Sequence, residues 1–199
     1  MANSFNWNKA FTLDFSLIDG FSKNAESSKR FLSKVKSMYS DKKAAEKILK
    51  KIDPLIYEFY ELGVPEDDSG DLAFGTSIVY PGKIGKEFYM TKGHFHTIIG
   101  TAEVYYCLAG KGGMMMENPE GDVIYKELTP GTALYVPKRY AHRSVNTGQE
   151  KLITFFTFRA DAGHDYGSIE KKGFRKLVLS SENDDRDYEI VDNPKWKGE

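Results

Sequence analysis

The sequence predicts a mainly β protein, an antiparallel sandwich or barrel of the jelly-roll class, with N-terminal helices packed outside it. Two observations carry this. Beyond Pro54, short runs rich in Val, Ile, Tyr, Phe and Thr follow one another, among them LAFGTSIVYP, EVYYCLAG, DVIYKELTP and KLITFFTFR, separated by Pro, Gly, Asn and Asp clusters that favour turns. No helical pattern alternates with these runs, which excludes a parallel βαβ arrangement and leaves the antiparallel all-β classes.

Taken in order, residues 1–20 alternate loosely through Phe11, Leu13, Phe15 and Leu17 and predict an edge strand. From Ser22 the texture turns helical. Phe31, Leu32, Val35 and Met38 recur at helical spacing among Lys and Ser, the pattern of an amphipathic surface helix. Ser40 is an N-cap candidate for a second helix through DKKAAEKILKKI, which Asp53 and Pro54 end. Its lysines read as a solvated face. LIYEFYEL is then a strand and GVPEDDSGD a mobile polar connection. Further strands are predicted at KEFYMTKGHFH, KGGMMMEN, ALYVP, KLVLS and YEIVD. Turns fall at Pro81–Lys83, Asn118–Asp122, Pro130–Gly131 and Asn146–Glu150. The chain reads as one domain over 1–199, with 1–54 as a partly helical extension packed outside the β barrel.

Composition narrows the function. Lys and Arg number 28 against 29 Asp and Glu, a net charge of −1, so there is no basic field of the kind nucleic acid or an anionic membrane needs. The single cysteine, Cys107, excludes an internal disulfide and fits a reducing compartment; a small apolar residue in a strand is its simplest reading. The N-terminus lacks the basic head and apolar run of a secretion signal, and no stretch approaches the ~20 apolar residues of a membrane span. A cytoplasmic location is expected.

The chemistry concentrates at TKGHFHTIIGTAEVYYCLAG, Thr91–Gly110. Side chains two apart on a strand share a face, so His94 and His96 project together. If 97–102 loops back, Glu103 opens the next strand and delivers a carboxylate to the same face. A fourth donor, His142, comes from GTALYVPKRYAHRSVN. Only four histidines occur in 199 residues, and none lies in the first ninety. Three imidazoles and a carboxylate suit one divalent first-row metal with coordination sites left open. Tyr105, two positions beyond Glu103, is expected to face the same interior beside the metal.

HxH with a glutamate, a glycine seven positions after that glutamate, and GxxxxxP followed by AHRSVN resemble the paired motifs of the cupin superfamily. The resemblance narrows. YPGKIGKEFYMTKGHFH and AEVYYCLAGKGGM within 71–113, ADAGHDYGSIEKKGF at 160–174 and VDNPKW at 191–196 are similar to the cupin-type phosphoglucose isomerases, metal-dependent enzymes of archaea and some bacteria. Two features depart from the general cupin pattern: six residues separate His96 from Glu103, and Arg139 stands where the second motif usually has glycine. The isomerase family shares both.

That resemblance implies a cupin jelly-roll (double-stranded β-helix) and reversible exchange between glucose 6-phosphate and fructose 6-phosphate, in glycolysis and gluconeogenesis, by a homodimer. It implies one divalent transition metal per subunit, iron(II) first, with manganese, nickel or zinc accepted by the same ligands, His94, His96, Glu103 and His142. The phosphate would be gripped by Tyr57, Ser77, Thr91, Gly93, His164 and Tyr166. Phe158 stands where relatives often carry a phosphate-contacting tyrosine, and the lost donor is expected to cost about 1–3 kcal/mol. Glu103, Tyr105 and His164 are the catalytic candidates. Glu103 acts either as general base through an enediol or only as a ligand beside a direct hydride shift. Read without the resemblance, His164 and Tyr166 would be solvated residues of a loop over the barrel mouth. Two rival readings remain, an iron-dependent cupin dioxygenase and a non-catalytic sugar-binding cupin.

Overall fold

The computed structural model describes residues 5–23, 25–62, 69–181, 187–196 and 198. The chain runs β1 (Ser27–Phe31), α1 (Leu32–Val35), a 3-10 turn (Lys36–Met38), α2 (Lys42–Leu49), β2 (Leu55–Leu62), β3 (Leu72–Val79), β4 (Lys83–Ile84), β5 (Glu87–Phe88) and β6 (Glu103–Ala109). It continues β7 (Gly112–Glu117), β8 (Val123–Leu128), β9 (Ala133–Val136), β10 (Ala141–Asn146), β11 (Leu152–Arg159), a second 3-10 turn (Ala160–Ala162), α3 (Gly167–Lys172), β12 (Lys176–Ser180) and β13 (Tyr188–Asp192).

A six-stranded antiparallel sheet in the order β1-β2-β3-β11-β6-β9 faces a layer made of β10-β7-β8 and β13-β12-β5-β4. Single bridges from Met90 to Val145 and from His94 to His142 lay the segment after β5 along β10, so the second layer continues between its two parts. Strands β6 to β11 pass from one layer to the other and back, the jelly-roll pattern expected. The layers meet at their inner faces without a continuous ring of hydrogen bonds, so the expected barrel is an open sandwich among the described residues. Tyr105, Phe156 and Phe158 from the large sheet pack in one cluster with Met114, Met116 and Val145 from the facing layer and with Phe88 and Val178 beyond them. Each such buried side chain contributes about 1.5–3 kcal/mol, which holds the layers at a fixed spacing around the interior.

The N-terminal reading needs correction in three places. Ser27–Phe31, expected to be helical, is a strand paired antiparallel with β2; without it the β2 edge would present bare amides and carbonyls, and long-range pairing overrides a weak helical pattern. The helical period starts at Leu32, where Leu32 and Val35 are buried while Phe31 is 38% exposed. Residues 5–20 form no strand, only a bridge between Phe15 and Ser22 around a turn. The α2 N-cap is Asp41, whose carboxylate accepts the Ala44 N–H at 2.9 Å, not Ser40. Ser40 instead donates its N–H and hydroxyl to the buried Glu87 carboxylate, at 2.6 and 2.5 Å, and so fastens the helices to β5. Most of the connection expected to be mobile, residues 63–68, lies outside the described residues.

Gly75 marks a tight point in the large sheet. A Cβ there would stand 1.9 Å from the Tyr60 carbonyl oxygen and 2.9 Å from the Phe156 ring. Gly75→Ala is therefore expected to destabilise the fold by about 1–3 kcal/mol, lowering Tm by roughly 2–4 °C for each kcal/mol in a chain of this size. Gly100→Ala, where nothing lies within 4 Å, serves as the control in the same thermal melts.

Candidate metal centre and pocket

His94 and His96 sit on an extended segment held on both sides. His94 exchanges backbone hydrogen bonds with His142 of β10, its N–H reaching the His142 carbonyl at 3.3 Å and its carbonyl taking the His142 N–H at 3.1 Å. On the other side Phe95 exchanges with Asp165, and Thr97 and Ile98 donate to the Gly163 and Ala162 carbonyls. The AGHDYG segment is thus zipped along 95–98 rather than loose over the mouth. This correction explains how His164 reaches His94, with ring centroids 4.4 Å apart. Glu103 opens β6, as expected, after the 97–102 loop.

The four expected metal donors converge. His94, His96, Glu103 and His142 are all buried, and one donor atom from each lies within 4.8 Å of the others, the reach of a single coordination sphere. Their hydrogen bonds test the fit. The Thr101 hydroxyl spends its proton on the Ile98 carbonyl at 2.8 Å, so its oxygen accepts from His96 Nδ1 at 2.6 Å. The Tyr140 carbonyl, which can only accept, lies 3.3 Å from His142 Nδ1. Protons assigned to Nδ1 in both rings leave Nε2 lone pairs, and these face Glu103 Oε2 at 3.2 and 2.8 Å. Two lone pairs turned toward a carboxylate oxygen call for a positive charge among them. His94 Nε2 is also buried without a hydrogen-bond partner. A divalent cation satisfies all four groups, and the donor set suits a first-row transition metal.

Electrostatics agree. Burial would raise the Glu103 carboxyl, but positive charge at His142, with hydrogen bonds from His142 and His96 and the charge of His94, holds it well below the carboxylate range, so an anion here demands the same positive charge among the rings that the turned lone pairs leave to a metal. Burial, then the neighbouring His142 and His164 rings, depresses His94 far below a free imidazole. Tyr105 is kept protonated first by burial and then by the Glu103 charge beside it.

Above these donors opens a cavity of about 180 Å³. Tyr57, Ser77, Thr91, Gly93, Tyr105, Phe158, His164 and Tyr166 all line it, together with His94, Glu103 and His142; His96 is not part of the lining. Gly93 has φ 78, and a Cβ there would meet the Phe174 ring at 2.7 Å, so a bare backbone is required at that wall. Arg139, the departure from the motif glycine, has φ 72, the left-handed conformation that explains why glycine is usual there. Sequence reasoning missed Phe59, Glu61, Lys92, Ser144 and Phe156 on the walls. Period two would have found four of them: 59 and 61 continue from Tyr57, 144 follows His142 and 156 precedes Phe158. Glu61 is the unexpected group. Burial first, and then the Glu103 charge, push its carboxyl up to about 7.

Comparison with known proteins places this geometry. The family model described as Glucose-6-phosphate isomerase (GPI) matches residues 29–197. Glucose-6-phosphate isomerase of Thermococcus kodakarensis is 47% identical over 185 residues, 93% of this chain and 95% of its own length. The enzymes of the same name from Thermococcus litoralis (46% over 93% and 94%) and Thermococcus onnurineus (49% over 84% and 86%) are comparably similar.

Proposed function

Because this chain belongs to the glucose-6-phosphate isomerase family, in its cupin-type branch, we propose that the pocket interconverts glucose 6-phosphate and fructose 6-phosphate over a divalent metal held by His94, His96, Glu103 and His142. The observation that carries this reading is the pair of imidazole lone pairs turned on one carboxylate oxygen beneath a cavity walled by hydroxyls. A bound divalent ion supplies Lewis acidity to the sugar oxygens next to the reacting carbons. Iron(II) is the proposed ion, and manganese, nickel or zinc would satisfy the same donors.

The chain's own residues do the rest. Thr91 Oγ1 accepts the Ser144 N–H at 3.0 Å, which leaves its hydroxyl proton free for a phosphate oxygen. Burial first, and for Tyr166 the neighbouring Tyr57, raise both phenols, Tyr166 to about 12, so each donates as a neutral O–H. Ser77 adds a fourth hydroxyl, and Gly93, where a Cβ would strike the Phe174 ring, presents bare backbone to the cavity. Phe158 fills its place without a donor, stacked on Phe156 and edge-on to His164. Half-buried His164, its imidazole lowered chiefly by desolvation, is able to donate one ring N–H. At the reacting carbons, Glu103 is the group proposed to take a proton from one and return it to the other, with the Tyr105 O–H beside it to hold a sugar oxygen.

The test is a coupled isomerase assay on chelated protein under nitrogen, repeated after adding back each divalent ion. Activity that returns with a metal and without O₂ supports the isomerase; activity that needs O₂ would favour the dioxygenase reading. His164→Ala is expected to raise KM for both sugar phosphates about tenfold or more, from the loss of a hydrogen bond to a charged group worth ~1.5–3 kcal/mol, with kcat nearly kept. A collapse of kcat at unchanged KM would move His164 into the chemistry.

Our reading of the chain's setting is one cupin domain over 1–199, with 1–54 as its extension, acting in glycolysis and gluconeogenesis in the cytoplasm. Cys107 is free and buried, and among the described residues no helix is long and apolar enough to cross a membrane. A homodimer is proposed, supported by Val104, Tyr106 and Tyr135, exposed at 39%, 42% and 62% on the outer face of β6 and β9. Light scattering at twice 22.6 kDa checks it.

A further inference from the structure

We propose that a second cavity, behind the wall of the active site, is a binding site for a small phosphate-bearing anion. It lies between the N-terminal 3-10 turn, α3 and the segment around Asn193, and holds about 230 Å³. That is several times the ~30 Å³ that a liquid water occupies, room for a diphosphate-sized ion.

The walls are cationic. Lys42, Lys171, Lys172 and Lys195 come from three separate parts of the chain, Lys92 from the partition with the active site, and Arg143 from β10. Glu170 is the one carboxylate of the lining, and it is already ion-paired with Lys92. Lys42 is depressed by burial first and then by Lys195, as expected where positive charge accumulates.

Arg143 supplies the independent observation. It is 5% exposed, and its guanidinium lies over the Phe174 ring at 4.1 Å. One terminal nitrogen donates to the Lys92 carbonyl at 2.6 Å and the other to the Met90 sulfur at 3.2 Å, but Nε has no partner. Among the described residues Arg143 makes no ion pair. Of the carboxylates whose charge it feels, Glu117 is ion-paired with Arg175, while Glu87, hydrogen-bonded by the neutral Ser40 and by the Asp41 backbone, offsets part of its charge. The Arg143 charge lies beneath a cavity ringed by Lys42, Lys171 and Lys195, which make no ion pair among the described residues, so the lining carries more positive charge than its one paired carboxylate answers. Water in the cavity could hydrogen-bond the ammoniums but not balance the charge. An oxyanion does both, and a phosphate offers oxygens to several donors at once.

The site touches the reaction centre through Lys92, which lies between Thr91 and Gly93 and carries its ammonium 4.6 Å over the Tyr166 ring. Occupancy is therefore expected to alter substrate affinity as well as to stabilise the fold.

Isothermal titration with inorganic pyrophosphate tests this on the metal-loaded wild type, on Lys42→Ala/Lys195→Ala and on His164→Ala. The lysine variant alters surface side chains outside the catalytic pocket, so its isomerase activity without pyrophosphate should equal wild type. The expected result is binding that survives in His164→Ala and weakens at least tenfold in the lysine variant. Binding untouched by the lysines, binding lost only with His164→Ala, or no binding at millimolar pyrophosphate would each overturn the proposal. Parallel titrations with inorganic phosphate and glycerol phosphate separate a free oxyanion from a phosphorylated metabolite as the source.

Discussion

Glu103→Gln is expected to lower kcat by at least ~10³-fold, within the 10²–10⁴ range of positioned general acid–base catalysis, while the fold stays intact. The amide keeps the shape of the side chain but not its charge. Two imidazoles, His96 at 3.2 Å and His142 at 2.8 Å, then face a neutral group where they faced an anion. Metal content read beside kcat divides the causes. Normal metal with lost turnover assigns Glu103 to proton transfer, and solvent deuterium should then appear at C2 of substrate recovered from the wild-type reaction. Lost metal with full retention of the substrate hydrogen in the wild type would leave Glu103 a ligand only. Near-normal turnover in the variant would remove it from both roles.

The residues that could be read in the sequence are those whose geometry is local. His94 and His96 are two apart, Glu103 begins the next strand, and the Pro and Gly punctuation around His142 sets it on a strand of its own; period two and turn chemistry carry each inference. Misreadings occurred where a distant partner decides. Ser27–Phe31 looks helical until β2 is beside it, and AGHDYG looks like a free loop until 95–98 is seen to bond its backbone. The cationic cavity was illegible for the same reason. Its lysines read as solvated surface, which is right for each taken singly; their meeting around buried Arg143 is a fact of tertiary structure alone. Glu61 shows the cost of stopping a pattern early, since it continues the face of Tyr57 into the pocket and places a second carboxyl within the influence of Glu103.

His142→Ala should have the largest effect of any substitution in the chain. His142 is 2% exposed, stands closest to Glu103 and is the main cause of that carboxyl's depression. Changing a residue that merely supports a metal ligand costs about 10–100-fold in affinity or activity, so removing a ligand outright should exceed that. The protein after dialysis is expected to carry no metal and show no isomerase activity above background, and added divalent ion should not restore it. Misfolding is a poor alternative explanation, because the bonds that tie His142 to His94 are both backbone to backbone and survive the substitution. Circular dichroism should accordingly show native β content with Tm lowered by several degrees, the deleted ring costing a few kcal/mol. If metal-free His142→Ala turned over glucose 6-phosphate at the wild-type rate, the convergence of these four side chains would be a packing arrangement, and the reaction would have to be sought elsewhere on the cavity wall.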